Sequence, residues 1–166
     1  MRILVGSAEG RRDFKLARSL GRKIETSGKA EAPDLNNAAW DSLFTGSVEG
    51  SDVEAAVKAA QMSQDKPFTL HTLGCVYAEV GKTQEARELF LQSMDKLNLD
   101  APDSDYWYGF GRIAEQYGQR DIAISLYSRV TEPKDPKLRP SSSYALAQLR
   151  LGILGSARST APAAKK

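Results

Sequence analysis

His71 and Cys75 stand four residues apart, a spacing that puts an imidazole and a thiol on one face of a helix. A thiol nucleophile beside a histidine base is the core of a small hydrolase or transferase, with Glu79 or Glu115 as a further carboxylate. No third residue stands at a spacing that would orient the base, and the competing reading of Cys75 is a small, partly buried packing residue. As metal ligands the two would stand alone. The chain has one His and one Cys, which excludes sites built on several histidines or on cysteine clusters, and an internal disulfide. Gly109-Phe110-Gly111-x2-Ala114 fits the dinucleotide fingerprint in letters, but that motif needs a preceding strand and a βαβ unit. Gly6-x3-Gly10 lacks the Gly-Lys-Ser/Thr ending of a phosphate loop and reads as a flexible entry to the first helix. Ser141-Ser142-Ser143 follows Pro140 and reads as a helix N-cap. No cofactor, metal or catalytic group is therefore expected.

The elements that carry these residues repeat. Leu70, Trp107 and Tyr144 are 37 residues apart, as are Gly81, Gly118 and Gly155. Gly74 pairs with Gly111, Ala86 with Ala123 and Phe90 with Tyr127 at the same offset. Each unit predicts two helices. Over 67–80 the apolar stripe is Leu70, Leu73, Tyr77 and Val80, and Gly81 stops it, since glycine adopts the left-handed cap without a Cβ penalty. Over 83–97, Ala86, Leu89, Phe90, Ser93 and Leu97 share a side, with Thr83 as N-cap. The next unit lays Trp107, Phe110, Ala114 and Tyr117 on one helix and Ile122, Ala123, Leu126, Tyr127 and Val130 on the other, before Pro136 and Pro140 close the run. Glycine inside a helix costs about 1 kcal/mol relative to alanine. Gly74 and Gly111 therefore predict a close helix crossing, faced by Ala86 and Ala123 and filled around by Phe90, Trp107 and Tyr127.

Leu70-x2-Leu73-Gly74-x2-Tyr77 followed by Ala86-x3-Phe90 resembles the signature of the tetratricopeptide repeat (TPR) family, and Trp107-x2-Phe110-Gly111 followed by Ala123-x3-Tyr127 is similar, with Ala114 in place of the aromatic. A weaker unit over 33–66 offers Leu35-x3-Ala39 and Ala56-x2-Ala59, and in the third copy Gln148 replaces the small residue. The 37-residue spacing exceeds the usual 34, with the excess placed in 98–103 and 132–136. The wording around Leu70–Gly74 and Phe110–Gly118 is also similar to C-terminal repeat regions of large bacterial proteins with transglutaminase-like domains. The resemblance implies an all-α, right-handed TPR-like solenoid of about eight antiparallel helices. It implies a scaffold that binds a protein or peptide on the concave face of its first helices, with no catalysis, and with other domains of a longer parent chain as alternative partners. By the family's rule the groove shows Asn36, Trp40, His71, Cys75, Glu79, Tyr108, Arg112, Glu115, Gln116 and Leu149. Trp40 and Tyr108 would anchor an extended peptide or helix and Arg112 would orient an acidic group on it. The Lys/Asn cluster with which some members clamp a terminal carboxylate is missing, so no such clamp is expected.

The resulting units are a capping helix or repeat remnant in 1–32, a degenerate repeat in 33–66, repeats in 67–103 and 104–140, a capping helix in 141–155 and a disordered tail in 156–166. The helix expected over 11–26 reads as a second helix without its first, as in an excerpt of a longer array. The 166 residues suit one domain or a short array, and 41% hydrophobic residues are too many for a chain disordered throughout. The net charge of +2 gives no argument for nucleic acid, and no apolar run reaches the ~18 residues of a membrane span. Charge is uneven: +4 over 1–32, −7 over 33–103 and +5 over 104–166. An acidic middle between basic ends could steer a charged partner. No signal peptide is visible, so a cytoplasmic location is the default expectation.

Overall fold

The computed structural model describes residues 1–159, and the chain there is all-helical. The helices are α1 (Arg2–Gly10), α2 (Phe14–Thr26), α3 (Ala32–Ser42), α4 (Gly50–Met62), α5 (Pro67–Glu79), α6 (Thr83–Lys96), α7 (Ser104–Gln116), α8 (Arg120–Tyr127) and α9 (Ser143–Ser159). A short 3-10 turn, Arg139–Ser141, precedes α9. α1 corrects two expectations. The Gly6–Gly10 segment is helical rather than a flexible entry, and the expected lone helix over 11–26 has a partner. Val5 and Ala8 bury against Ala17, Leu20 and Ile24 of α2, and that packing outweighs the glycine cost in α1.

The termini follow local chemistry. Asp13 accepts the Leu16 N–H at 3.1 Å, and Asp34 and Asp52 accept the N–H groups of Glu31 and Glu49, each at 2.8 Å. Gly81 and Gly118 take φ of 80° and 70°, ending α5 and α7 as the repeat predicts. Gly155 does not stop a helix, because α9 runs through it to Ser159 and no second helix follows among the described residues. The tail expected over 156–166 is thus helical in 156–159, and its remainder lies outside the described residues. Thr83 is not the cap of α6. Lys82 holds that position, and the Thr83 hydroxyl donates to the Tyr117 hydroxyl at 2.9 Å instead. Ser142 does cap α9, accepting the Ala145 N–H at 3.3 Å.

The alternate helices α3, α5, α7 and α9 touch one another in series, while α4, α6 and α8 each pack between two of them. The glycine pattern explains the spacing. A Cβ on Gly74 would stand 2.5 Å from the Phe90 ring, and one on Gly111 would stand 2.5 Å from the Tyr127 ring. The aromatic rings themselves therefore fill the approach, with Ala86 and Ala123 fully buried beside them. Gly109 also lies under Phe90, so one ring is wedged between two helices. Trp107 is only partly buried, with the Arg129 guanidinium 4.7 Å from its ring centre; Tyr106 and Tyr108 on either side take the interior places.

After α8 the chain does not turn straight into α9. Residues 131–142 form a strap that brings the 3-10 turn against both α1 and α9. Trp40 of α3 donates its indole N–H to the Ser141 carbonyl at 2.7 Å, a contact across 101 residues of sequence. The proline run that ends the helices thus crosses the face that α3, α5 and α7 share.

Candidate functional site

The residues of that face line two separate hollows of different chemistry. The first is a cleft of about 630 Å³. α3 supplies Asn36, Asn37 and Trp40; α5 supplies Phe68, His71 and Thr72; and the start of α7 supplies Asp103, Asp105 and Tyr106. The strap closes the far side with Pro133, Leu138 and Ser141–Ser143. Its rings form a connected wall. Trp40 and His71 are 5.8 Å apart between centres, and His71 meets Tyr106 edge-on at 5.0 Å. Phe68 is 49% exposed. The Asn36 side-chain oxygen is buried without a hydrogen-bond partner. Burial lowers the His71 pKa, so the ring is neutral, and its Nε2 lies 3.3 Å from the Asp105 carbonyl. In the tautomer that donates to that carbonyl, Nδ1 is left as an acceptor.

The second hollow, about 370 Å³, is lined by Ser42, Leu43, Gly46, Ser47 and Val48, by Glu79, Tyr108 and Arg112, and by Leu146, Leu149, Arg150 and Ile153 of α9. Its floor is an ion network. Arg112 pairs with Glu79 and, at 2.8 Å, with Glu115. Glu115 also pairs with Arg150 and accepts the Tyr127 hydroxyl at 2.8 Å. Burial opposes ionisation of Glu115, but hydrogen bonds from Arg150 and Tyr127 outweigh it and hold its carboxyl below the ordinary range. The neighbouring carboxylates raise the Arg112 pKa against the cost of burial, so the guanidinium stays charged and committed.

These placements split the ten residues predicted for one groove. Asn36, Trp40 and His71 line the first cleft; Glu79, Tyr108, Arg112 and Leu149 line the second. Cys75 lies at the interior between them, and Glu115 and Gln116 belong to the arginine side. Gln116 is exposed and donates its amide to the Ala78 carbonyl at 2.9 Å. Cys75 and Tyr108 are 0% exposed, and Arg112 is 7% exposed with its donors spent on two carboxylates. Tyr108 therefore is no anchor, and Arg112 has no free face for a ligand acid. The open-groove rule fails here because α9 packs on α7 and the strap is tied to α3 at Trp40. Tyr106, two residues before Tyr108, is the tyrosine that reaches the cleft.

The His71–Cys75 pair is real in space, with Sγ 3.7 Å from Nε2, but burial pushes the Cys75 thiol well up. A protonated thiol without access to solvent is a poor nucleophile. The dinucleotide-like glycines lie within α7, where Gly109 and Gly111 serve packing against Phe90 and Tyr127. Phe68, Asp103, Asp105 and the strap residues escaped the sequence reading, because the repeat spacing marks which residues pack and says nothing about the course of the long connection. The excess of the 37-residue spacing placed at 132–136 and the prolines Pro133, Pro136 and Pro140 signal a longer connection, but not where it docks. Among the described residues, no group of three His, Cys, Asp or Glu is placed to hold a metal ion, and no helix is long and apolar enough to cross a membrane. No family model, no curated protein and no solved structure significantly matches the chain.

Proposed function

We propose that the protein is a non-catalytic interaction scaffold of TPR-like design that receives a peptide segment in the cleft between α3, α5, α7 and the strap. The observation that carries the reading is the cleft itself. It is about 630 Å³, walled by Trp40, Phe68, His71 and Tyr106, and supplied by three successive first helices, the elements with which a stacked helical array offers a surface. The volume suits a few side chains of an extended segment, with aromatic anchors in the wall and polar groups at the rim. The reading moves the docking site from Tyr108 and Arg112 to this cleft and leaves the partner a protein or peptide, either separate or part of a longer parent chain.

Phe68→Glu tests it, because the ring is half-exposed and the substitution should leave folding intact. Peptides selected by display on the wild-type protein should lose binding at least tenfold on Phe68→Glu, at unchanged far-UV circular dichroism and urea midpoint. Equal capture of the same peptides by both proteins would remove the cleft as the docking site.

A further inference from the structure

Among the described residues, Asp103 and Asp105 are the only carboxylates lining the first cleft, and neither Lys nor Arg lines it. Among the described residues, neither aspartate has an ion-pair partner, whereas Asp34, Asp52, Glu79 and Glu115 each have an arginine. Asp103 uses one oxygen to accept the Asp105 N–H at 3.0 Å, as a helix cap, while the Asp105 carboxylate takes no part in the cap. Two further polar groups of the cleft lean the same way. The buried Asn36 oxygen is an acceptor without a donor, and the Trp40 indole N–H is already given to Ser141. The neutral His71 ring puts no positive charge opposite the aspartates. The walls are rings whose faces attract cations. An acidic peptide would meet uncompensated like charge here, and a purely apolar one would leave these acceptors unpaired.

We propose that the cleft selects a peptide segment presenting an arginine or lysine side chain, its aliphatic stem against Phe68, Leu97 and Leu138 and its cationic head at Asp103 and Asp105. This inference rests on the scaffold reading and names its ligand chemistry. The stem-and-head division matches the cleft, apolar at the exposed Phe68 and Leu138 and acidic at the start of α7. The stretch over 33–103, which contributes α3, α5 and Asp103 to the cleft, carries a net charge of −7.

The test is fluorescence anisotropy with short labelled peptides that differ only at a central position: arginine, lysine, norleucine or glutamate. The protein variants are Asp103→Asn with Asp105→Asn, and Phe68→Ala. Asparagine caps a helix as well as aspartate, so the double variant keeps its fold, checked by circular dichroism. The arginine peptide should bind wild type at least tenfold more tightly than the norleucine peptide, the size of one charge-assisted contact, and added salt should shrink the difference. The double variant should lose that preference while holding the norleucine peptide unchanged. Phe68→Ala should weaken both. If wild type binds the arginine and norleucine peptides equally and Phe68→Ala weakens both, the cation preference is wrong and the scaffold reading survives. If none of the peptides binds, both fall. If removal of residues 160–166, which include Lys165 and Lys166, raises affinity for the arginine peptide tenfold, the cleft belongs to the chain's own tail and the partner proposal is overturned.

Discussion

Phe90 shows how single residues hold the array together. Its ring fills the space over Gly74 and Gly109, so the place of a Cβ on α5 and on α7 is already taken by the same side chain. Tyr127 does the same over Gly111 and ends in a hydrogen bond to Glu115, which joins the packing to the ion network. Gly74→Ala and Gly111→Ala should each destabilise by about 1–3 kcal/mol, since the fully buried rings have no free volume to move into. Gly152→Ala is the control. It lies in α9 with nothing within 4 Å of the new Cβ, so it should stabilise by about 0.5–1 kcal/mol through helix propensity alone. Urea midpoints of the three variants check the argument. Loss of stability at Gly152 equal to that at Gly74 would mean that close approach is not the cause.

Among the elements, the strap is the one that no repeat logic foresees. It leaves the last helix pair at Thr131, which is held by Ser104, and returns at the Ser141 carbonyl held by Trp40. Between these points Arg139 pairs with Glu132 at 3.0 Å and lies 5.8 Å from the Tyr144 ring, both near the surface. Surface pairs of this kind contribute little, so the part-buried end at Trp40 carries the attachment. Trp40→Phe keeps an aromatic ring and removes the donor, at a cost of about 1 kcal/mol. Amide exchange should then accelerate in the 3-10 turn and first turn of α9 while α5 and α6 stay protected. Unchanged exchange at Ser142 and Leu146 would show that the strap is held by other contacts. The same variant should widen the cleft to ligands, because the strap forms one of its sides.

Over the whole molecule the helices form two apolar clusters, one from α1 and α2 and one spanning α3 to α9. Phe14 stacks on Phe44 at 4.1 Å, and Arg18 and Arg22 of α2 pair with the buried Asp52 of α4, which ties the clusters together. Asp41 of α3 is buried with one carboxylate oxygen unpartnered; burial first, then the nearby charge of Glu9 on α1, pushes its pKa up to about 8. Burial raises Glu9 as well. The sign follows from linkage. The folded protein keeps the Asp41 proton up to about pH 8, whereas the unfolded chain releases it near pH ~4. This group's contribution is therefore greatest below about pH 4 and is lost as pH rises toward 8. Asp34 and Glu115, whose pKa values are lowered, act oppositely, contributing above about pH 4 and losing it as pH falls further. Stability should peak on the acid side of neutrality. Asp41→Asn should flatten the decline toward pH 8 and raise the urea midpoint there, by about 2 kcal/mol in stability. A wild-type midpoint that rises steadily from pH 5 to 8 would contradict the assignment.

What the sequence by itself determined was the local and the periodic. A 37-residue offset of glycine, alanine and aromatic positions specifies helices, their ends at Gly81 and Gly118, and the close approach at Gly74 and Gly111, because these depend on backbone conformation and neighbouring side-chain volume. It missed α1, whose two glycines hide a helix that only the burial of Val5 and Ala8 sustains. It read Tyr108 and Arg112 as outward-facing because a repeat rule assigns faces as though every groove were open. Only the tertiary structure decided that. The strap returns to α3 through a contact 101 residues apart in sequence, α9 packs on α7, Tyr108 and Cys75 are buried, and a cleft is left open whose charge comes from Asp103 and Asp105. Such long-range closure depends on where a connecting segment finds its partners, and periodicity carries no information about that.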